Sequence, residues 1–125
     1  MIPGTDRNHP TLLKSFAFAW QGFRIALREE RNIKIMLGIG IAAIVAGLIV
    51  GLDLPSWGLL ILCCGVVIGV ELVNTAVETI VDLVSPEYHP LAGRAKDIAA
   101  AAVYLTCIAV ALTGIAIFVN AIFFK

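Results

Sequence analysis

From Ile98 to Phe124 the chain carries no charged residue. A bilayer core about 30 Å thick is crossed by roughly 20 apolar residues in helical form. Lipid offers no water to the backbone, so a single run of this kind must close its own hydrogen bonds as a helix. Two further apolar segments precede it, from about Ile35 to Leu54 and from Trp57 to Val70, the latter continuing in helical pattern to Val84. Across all 125 residues, 60% are hydrophobic and 14% charged, and the mean hydropathy is +0.97. Soluble chains are about half apolar and a quarter charged, and a chain this small leaves much of its surface in water. An ordinary cytosolic domain, a disordered tail and a disulfide scaffold are therefore excluded. Nine basic residues balance nine acidic ones, which leaves no basic field for nucleic acid. The expectation is an all-α integral-membrane protein forming one domain over 1–125, with a helix at 11–32 and membrane helices at 35–54, 57–84 and 98–124.

The first ten residues, with Pro3, Gly4 and Pro10, read as a loose terminus, and no cleavable signal sequence is expected there. Leu12, Phe16, Trp20, Phe23 and Leu27 then recur at steps of four and three, on one helical face. An aromatic stripe with basic flanks suits a helix lying in the membrane interface. Lys14, Arg24, Arg28, Arg31 and Lys34 precede the first span, and Arg94 and Lys96 lie between the second and third, whereas the turn at Asp53 has no basic residue. Basic loops stay on the cytoplasmic side, so the N-terminus and second loop are expected inside, and the Asp53 turn and C-terminus outside. Gly47 with Gly51, Gly65 with Gly69, and the run Ala99 to Ala102 are small-residue patterns that let helices approach in lipid. Three long helices bury little alone, so an oligomer is expected. Cys63, Cys64 and Cys107 lack metal-ligand spacing and read as packing residues. His9 reads as inert, and Asp53 and Lys125 as boundary markers.

The feature that needs explaining is polar. At about 100° per residue, Glu71, Glu78 and Asp82 fall in one narrow arc, with Asn74 about 60° to one side. Carboxylates at membrane depth are expensive and usually functional. The apolar stretch before Glu71 is too short to cross alone, so Glu71 sits near the inner boundary and Asp82 nearer the cytoplasm. Such a column can hold a divalent cation, relay protons or anchor a basic partner. For Glu71 the structural alternative is a pair with Arg24 or Arg28, and for Asp82 it is a pair or a cap. Glu29 and Glu30 stand just before the first span, and Lys96 and Asp97 just before the third, close to a helix start whose free amides favour anions. A cation, several carboxylates and a helix start suit a nucleoside triphosphate with Mg²⁺. The phosphate-binding glycine-rich loop and the protein-kinase signatures are absent from the sequence.

The runs Glu71-Leu72-Val73-Asn74-Thr75-Ala76-Val77-Glu78, Val81-Asp82, Glu87-Tyr88-His89-Pro90-Leu91-Ala92 and Ala95-Lys96-Asp97-Ile98-Ala99-Ala100, with Glu30-Arg31-Asn32 before the first span, closely resemble the bacterial integral-membrane diacylglycerol kinase / undecaprenol kinase family. The resemblance extends from about Leu13 onward. It implies a homotrimer with active sites shared between subunits, moving the γ-phosphate of ATP, with Mg²⁺, to a lipid alcohol. By motif position it implies Glu71 as general base meeting the lipid hydroxyl, Glu30 and Glu78 as metal ligands, and Asn74 in support. Lys96, with Asp97 beside it, would hold phosphates, and Glu87, Tyr88 and His89 would contact the nucleotide. Glu30-Arg31-Asn32 and Asn74-Thr75-Ala76 look more like the undecaprenol branch. Gly93-Arg94 looks more like the diacylglycerol branch, and Ala101 stands where many undecaprenol kinases have glycine. Undecaprenol is the favoured acceptor and diacylglycerol the alternative.

Two readings compete with a lipid kinase. A small proton- or ion-conducting oligomer would use the acid column without ATP, but no acid lies in the outer half of any span. A structural adaptor leaves the column of Glu71, Asn74, Glu78 and Asp82 without a purpose.

Overall fold

A computed structural model describes residues 11–124; the residues before Thr11, His9 among them, and Lys125 lie outside the described part. The described chain is all helical: α1 (Leu12–Glu29), α2 (Arg31–Val50), α3 (Leu54–Val84) and α4 (Pro90–Phe123). The last three are long and apolar enough to cross a membrane. By the helical rise, α2 measures about 30 Å, α3 about 46 Å and α4 about 51 Å. α2 therefore matches a hydrocarbon core, while α3 and α4 extend well beyond one.

Each boundary has a local cause. Thr11 caps α1 by accepting from the Lys14 backbone N–H at 3.3 Å. α1 stops at Glu30, whose backbone is extended (φ −104°, ψ 117°) and whose N–H still closes on the Ala26 carbonyl. Lys34 Nζ donates to the Arg28 carbonyl at 3.4 Å, a cation at a helix C-terminus where the dipole favours one. α2 ends at Gly51, left-handed with φ 79°, a conformation that side chains resist. α3 opens with Asp53 accepting from the Ser56 N–H at 2.9 Å and with Pro55 in its first turn. α4 opens with Pro90, and the His89 side chain caps it by accepting from the Leu91 N–H at 3.1 Å.

Apolarity placed the last helix at about residue 98, but it starts eight residues earlier, at Pro90. Proline at the first helical position and a capping side chain start a helix whatever the hydropathy. Glu30, set within the first helix by the sequence reading, is the joint between α1 and α2.

α3 and α4 pack antiparallel along their length, α2 packs mainly on α3, and α1 touches only α2 and α3. Gly47 lies against Trp57, and Asn32 reaches Glu71, so one register holds along the whole α2–α3 pair. At the Asp53 end, Leu52, Leu60, Ile117 and Ala121 form a buried cluster, with Ala43, Val50, Trp57 and Phe118 packed around it. An apolar cavity of about 300 Å³ follows, lined among others by Cys63, Cys64 and Cys107. The cysteines are half-buried free thiols.

The glycine reading needs correcting at its first pair. Gly51 is the helix terminator, and a Cβ on Gly47 would meet Leu52 at 2.8 Å and the Trp57 ring at 3.0 Å. Gly47 thus makes room for the turn and for an indole. Gly65 and Gly69 face open space within the chain. Of α1, only Ala26 is buried, and Leu12, Leu13, Phe16 and Trp20 are exposed. Trp20 and Phe23 stack with centroids 5.9 Å apart.

Candidate active site

The polar face of α3 grades from buried to exposed. Glu71 is 1% exposed and Asn74 9%, Glu78 is half-buried, and Asp82 is exposed. Helical spacing put these residues on one face; burial now orders them along it. Ile80 and Val84, on the opposite side, are exposed.

Two groups of side chains result. The deeper one surrounds Glu71. Asn32, in the first turn of α2, donates its carboxamide N–H to Glu71 Oε1 at 3.5 Å. Asn74 donates to Glu78 Oε1 at 3.3 Å. Thr75 Oγ1 donates to the Glu71 carbonyl at 3.0 Å, and Thr79 Oγ1 to the Thr75 carbonyl at 2.8 Å. Those hydroxyls are thereby satisfied within the helix. The carboxylates of Glu30 and Glu78 both act electrostatically on Glu71. Glu71 Oε2 and Asn74 Oδ1 are buried without a hydrogen-bond partner. Buried polar atoms are nearly always paired, so two bare acceptors in one place need an explanation.

The second group lies nearer the α3–α4 loop. Lys96 pairs with Asp82 at 2.5 Å, about 16 Å along α3 from Glu71. Asp82, Glu87, Tyr88, His89 and Lys96 share a recess of about 190 Å³. The Ser85 hydroxyl donates to the Glu87 carbonyl at 2.9 Å and braces the loop. Tyr88 is 89% exposed, and Asp97 is exposed. Glu78 lies between the groups, its charge acting on Glu71 on one side and on Lys96 on the other.

Three placements add to the sequence reading. Lys96 sits in the second turn of α4, so the free amides of the helix start lie nearer His89. Glu71 accepts from Asn32, and the structural alternative of a pair with Arg24 or Arg28 is not formed among the described residues. His89 also has a structural duty, as the cap of α4. Asn32 is the residue that sequence reasoning missed as a site member. It appeared only as one letter of a motif, and no local pattern signals a contact with a residue 39 positions away. Among the described residues, no group of three or more His, Cys, Asp or Glu side chains forms a metal cage.

Three helices long and apolar enough to cross a membrane, one of them carrying a buried acid, define a class of helical membrane proteins in which intramembrane carboxylates are usually functional. The family model for prokaryotic diacylglycerol kinase matches residues 17–118, and the chain belongs to that family. It is similar to the diacylglycerol kinase of Synechocystis sp., at 42% identity over 106 residues, covering 84% of this chain and 61% of that protein. The chain thus spans about three-fifths of that relative's length. It is similar to the undecaprenol kinase of Bacillus subtilis, at 37% over 105 residues, covering 84% of this chain and 85% of the relative. It also resembles the diacylglycerol kinase of Escherichia coli K12, at 34% over 103 residues, covering 82% and 84%. The family places the chain among the lipid kinases of bacterial membranes.

Proposed function

We propose that this chain transfers the γ-phosphoryl group of ATP to the hydroxyl of a membrane lipid alcohol, undecaprenol in first place, at the cytoplasmic face of the bacterial inner membrane. The observation that carries the proposal is Glu71: a carboxylate on a membrane-length helix, 1% exposed, with one oxygen bare. A buried bare acceptor at the edge of hydrocarbon is suited to an alcohol that cannot leave the lipid. Glu71 Oε2 takes the proton of the lipid hydroxyl as the hydroxyl oxygen forms its bond to the γ-phosphorus and the bond from that phosphorus to the ADP oxygen breaks. Phosphoryl transfer otherwise requires positioning and charge neutralisation.

Glu30 and Glu78 are the residues to hold Mg²⁺, with Asn74 in support. The donors are all oxygen, and Asn74 Oδ1 is buried and unpartnered beside Glu78. Magnesium ordinarily takes one or two carboxylates and completes its shell with phosphate and water, so two acids suffice without a protein cage. When bound, the ion neutralises phosphate charge. Lys96, beside Asp97, serves the phosphates from the recess of Glu87, Tyr88 and His89. A homotrimer with shared sites agrees with the broad exposed apolar surface of α2, α3 and α4 and with open space at Gly65 and Gly69. α1 serves as the interfacial helix, with Leu12, Phe16 and Trp20 toward lipid.

The second reading keeps the chemistry and changes the acceptor to diacylglycerol, as in the printed name of the Synechocystis relative. Purified protein in mixed micelles, given labelled ATP and either undecaprenol or diacylglycerol, decides between them. Faster labelling of undecaprenol is expected, and faster labelling of diacylglycerol selects the second reading. Label on neither lipid refutes both.

A further inference from the structure

We propose that Asn32 is a positioning residue for phosphoryl transfer: its carboxamide holds one oxygen of Glu71 and leaves the other turned to the acceptor hydroxyl. The inference rests on the reading of Glu71 as the base and adds a residue to it. Glu71 is buried, yet its two oxygens differ. Oε1 accepts from Asn32 and Oε2 has no partner. A structural buried acid would have both oxygens satisfied. One held and one bare is the arrangement of an acceptor kept in a fixed orientation.

The surroundings explain why α2 supplies the hold. The Glu71 carbonyl already accepts from the Thr75 hydroxyl, and its main chain lies within an unbroken helix. What remains free is the side-chain torsion. A neighbour on α3 itself cannot fix that torsion independently of α3, whereas Asn32 belongs to another helix. It stands two residues past the extended joint at Glu30, in the first turn of α2, so its own position is set where the chain changes direction. A carboxamide also suits the task, since it donates without adding a full charge. A guanidinium there would neutralise the group that has to accept a proton. Asn32 therefore acts through Glu71 and touches no reactant.

Because misplacing a reacting group by about 1 Å can lower a rate about a hundredfold, the effect falls on kcat. The test uses the full-length protein in mixed micelles with saturating lipid. It measures kcat, the KM for ATP, the KM for lipid and the melting temperature of Asn32→Asp, Asn32→Ala and Asn32→Gln. Asn32→Asp keeps the shape and removes the N–H donor; Asn32→Gln keeps the donor. The first two lose about 30-fold in kcat with KM for ATP within about twofold, and Asn32→Gln stays within about threefold of wild type. In a Glu71→Gln background, Asn32→Ala lowers the residual rate no further, because residues acting as a unit are not additive. Wild-type kcat in Asn32→Asp and Asn32→Ala, with Glu71→Gln inactive, overturns the role of Asn32 and leaves the base in place. Equal losses of kcat and melting temperature in all three variants overturn it also, marking a packing role. Full turnover in Glu71→Gln removes the base and this inference together.

Discussion

The two ends of α3 are built to opposite standards. At the Asp53 end, the cap is made, the turn glycine takes the one left-handed backbone position among the described residues, and Leu52, Leu60, Ile117 and Ala121 close around one another. In the other half of the same helix, Glu71 and Asn74 are buried with acceptor atoms bare. Leaving such an atom unpaired costs about 1–3 kcal/mol. One end is satisfied and packed; the other holds buried acceptors without a hydrogen-bond partner. The difference shows where this small bundle keeps its stability and where it gives some up.

Substitutions at the two ends should therefore separate activity from stability. The largest effect is expected for Glu71→Gln, which lowers turnover about a thousandfold, within the range of a lost general base, while the melting temperature holds. A parallel fall in melting temperature would make Glu71 a structural acid. Leu60→Ala should do the reverse. A cavity in the packed cluster costs about 3 kcal/mol in denaturant titration, with turnover per folded molecule within about threefold. Loss of turnover without loss of stability there would erase the contrast. Lys96→Ala should raise the KM for ATP about tenfold, the worth of one charge-assisted hydrogen bond, and leave the unfolding midpoint in place. An unchanged KM would take Lys96 out of the phosphate recess. The smallest effect is expected for Asp53→Ala, about 1 kcal/mol of stability from a lost cap and none on the rate.

What the sequence showed depended on the range of the interaction. Periodicity is local, so it puts the acids of α3 on one face without the fold, and the helical pattern read to Val84 agrees with the end of α3. Asp53 stood out as a boundary because a lone acid between apolar runs is visible, and it proved to be a cap. Hydropathy misled at α4, where polar residues such as Arg94, Lys96 and Asp97 are helical although they look like loop. The spacing of Gly47 and Gly51 suggested one helix contact, but the two glycines do different things, one admitting an indole and one reversing the backbone. Least legible was the site's cross-helix content. Asn32 with Glu71 and Lys96 with Asp82 join residues 39 and 14 positions apart, and only the helix register brings them together.

α3 runs from Leu54 to Val84 without a break, and this has a consequence for how two unlike molecules are brought to reaction. A stiff rod acts as a ruler. Whatever settles beside Asp82 and whatever settles beside Glu71 are held at a set spacing along one axis, about 16 Å, with no hinge between them to absorb error. On the proposed function, the reach across that interval would come from the length of the nucleotide and of the lipid alcohol, since the rod between Asp82 and Glu71 has no break.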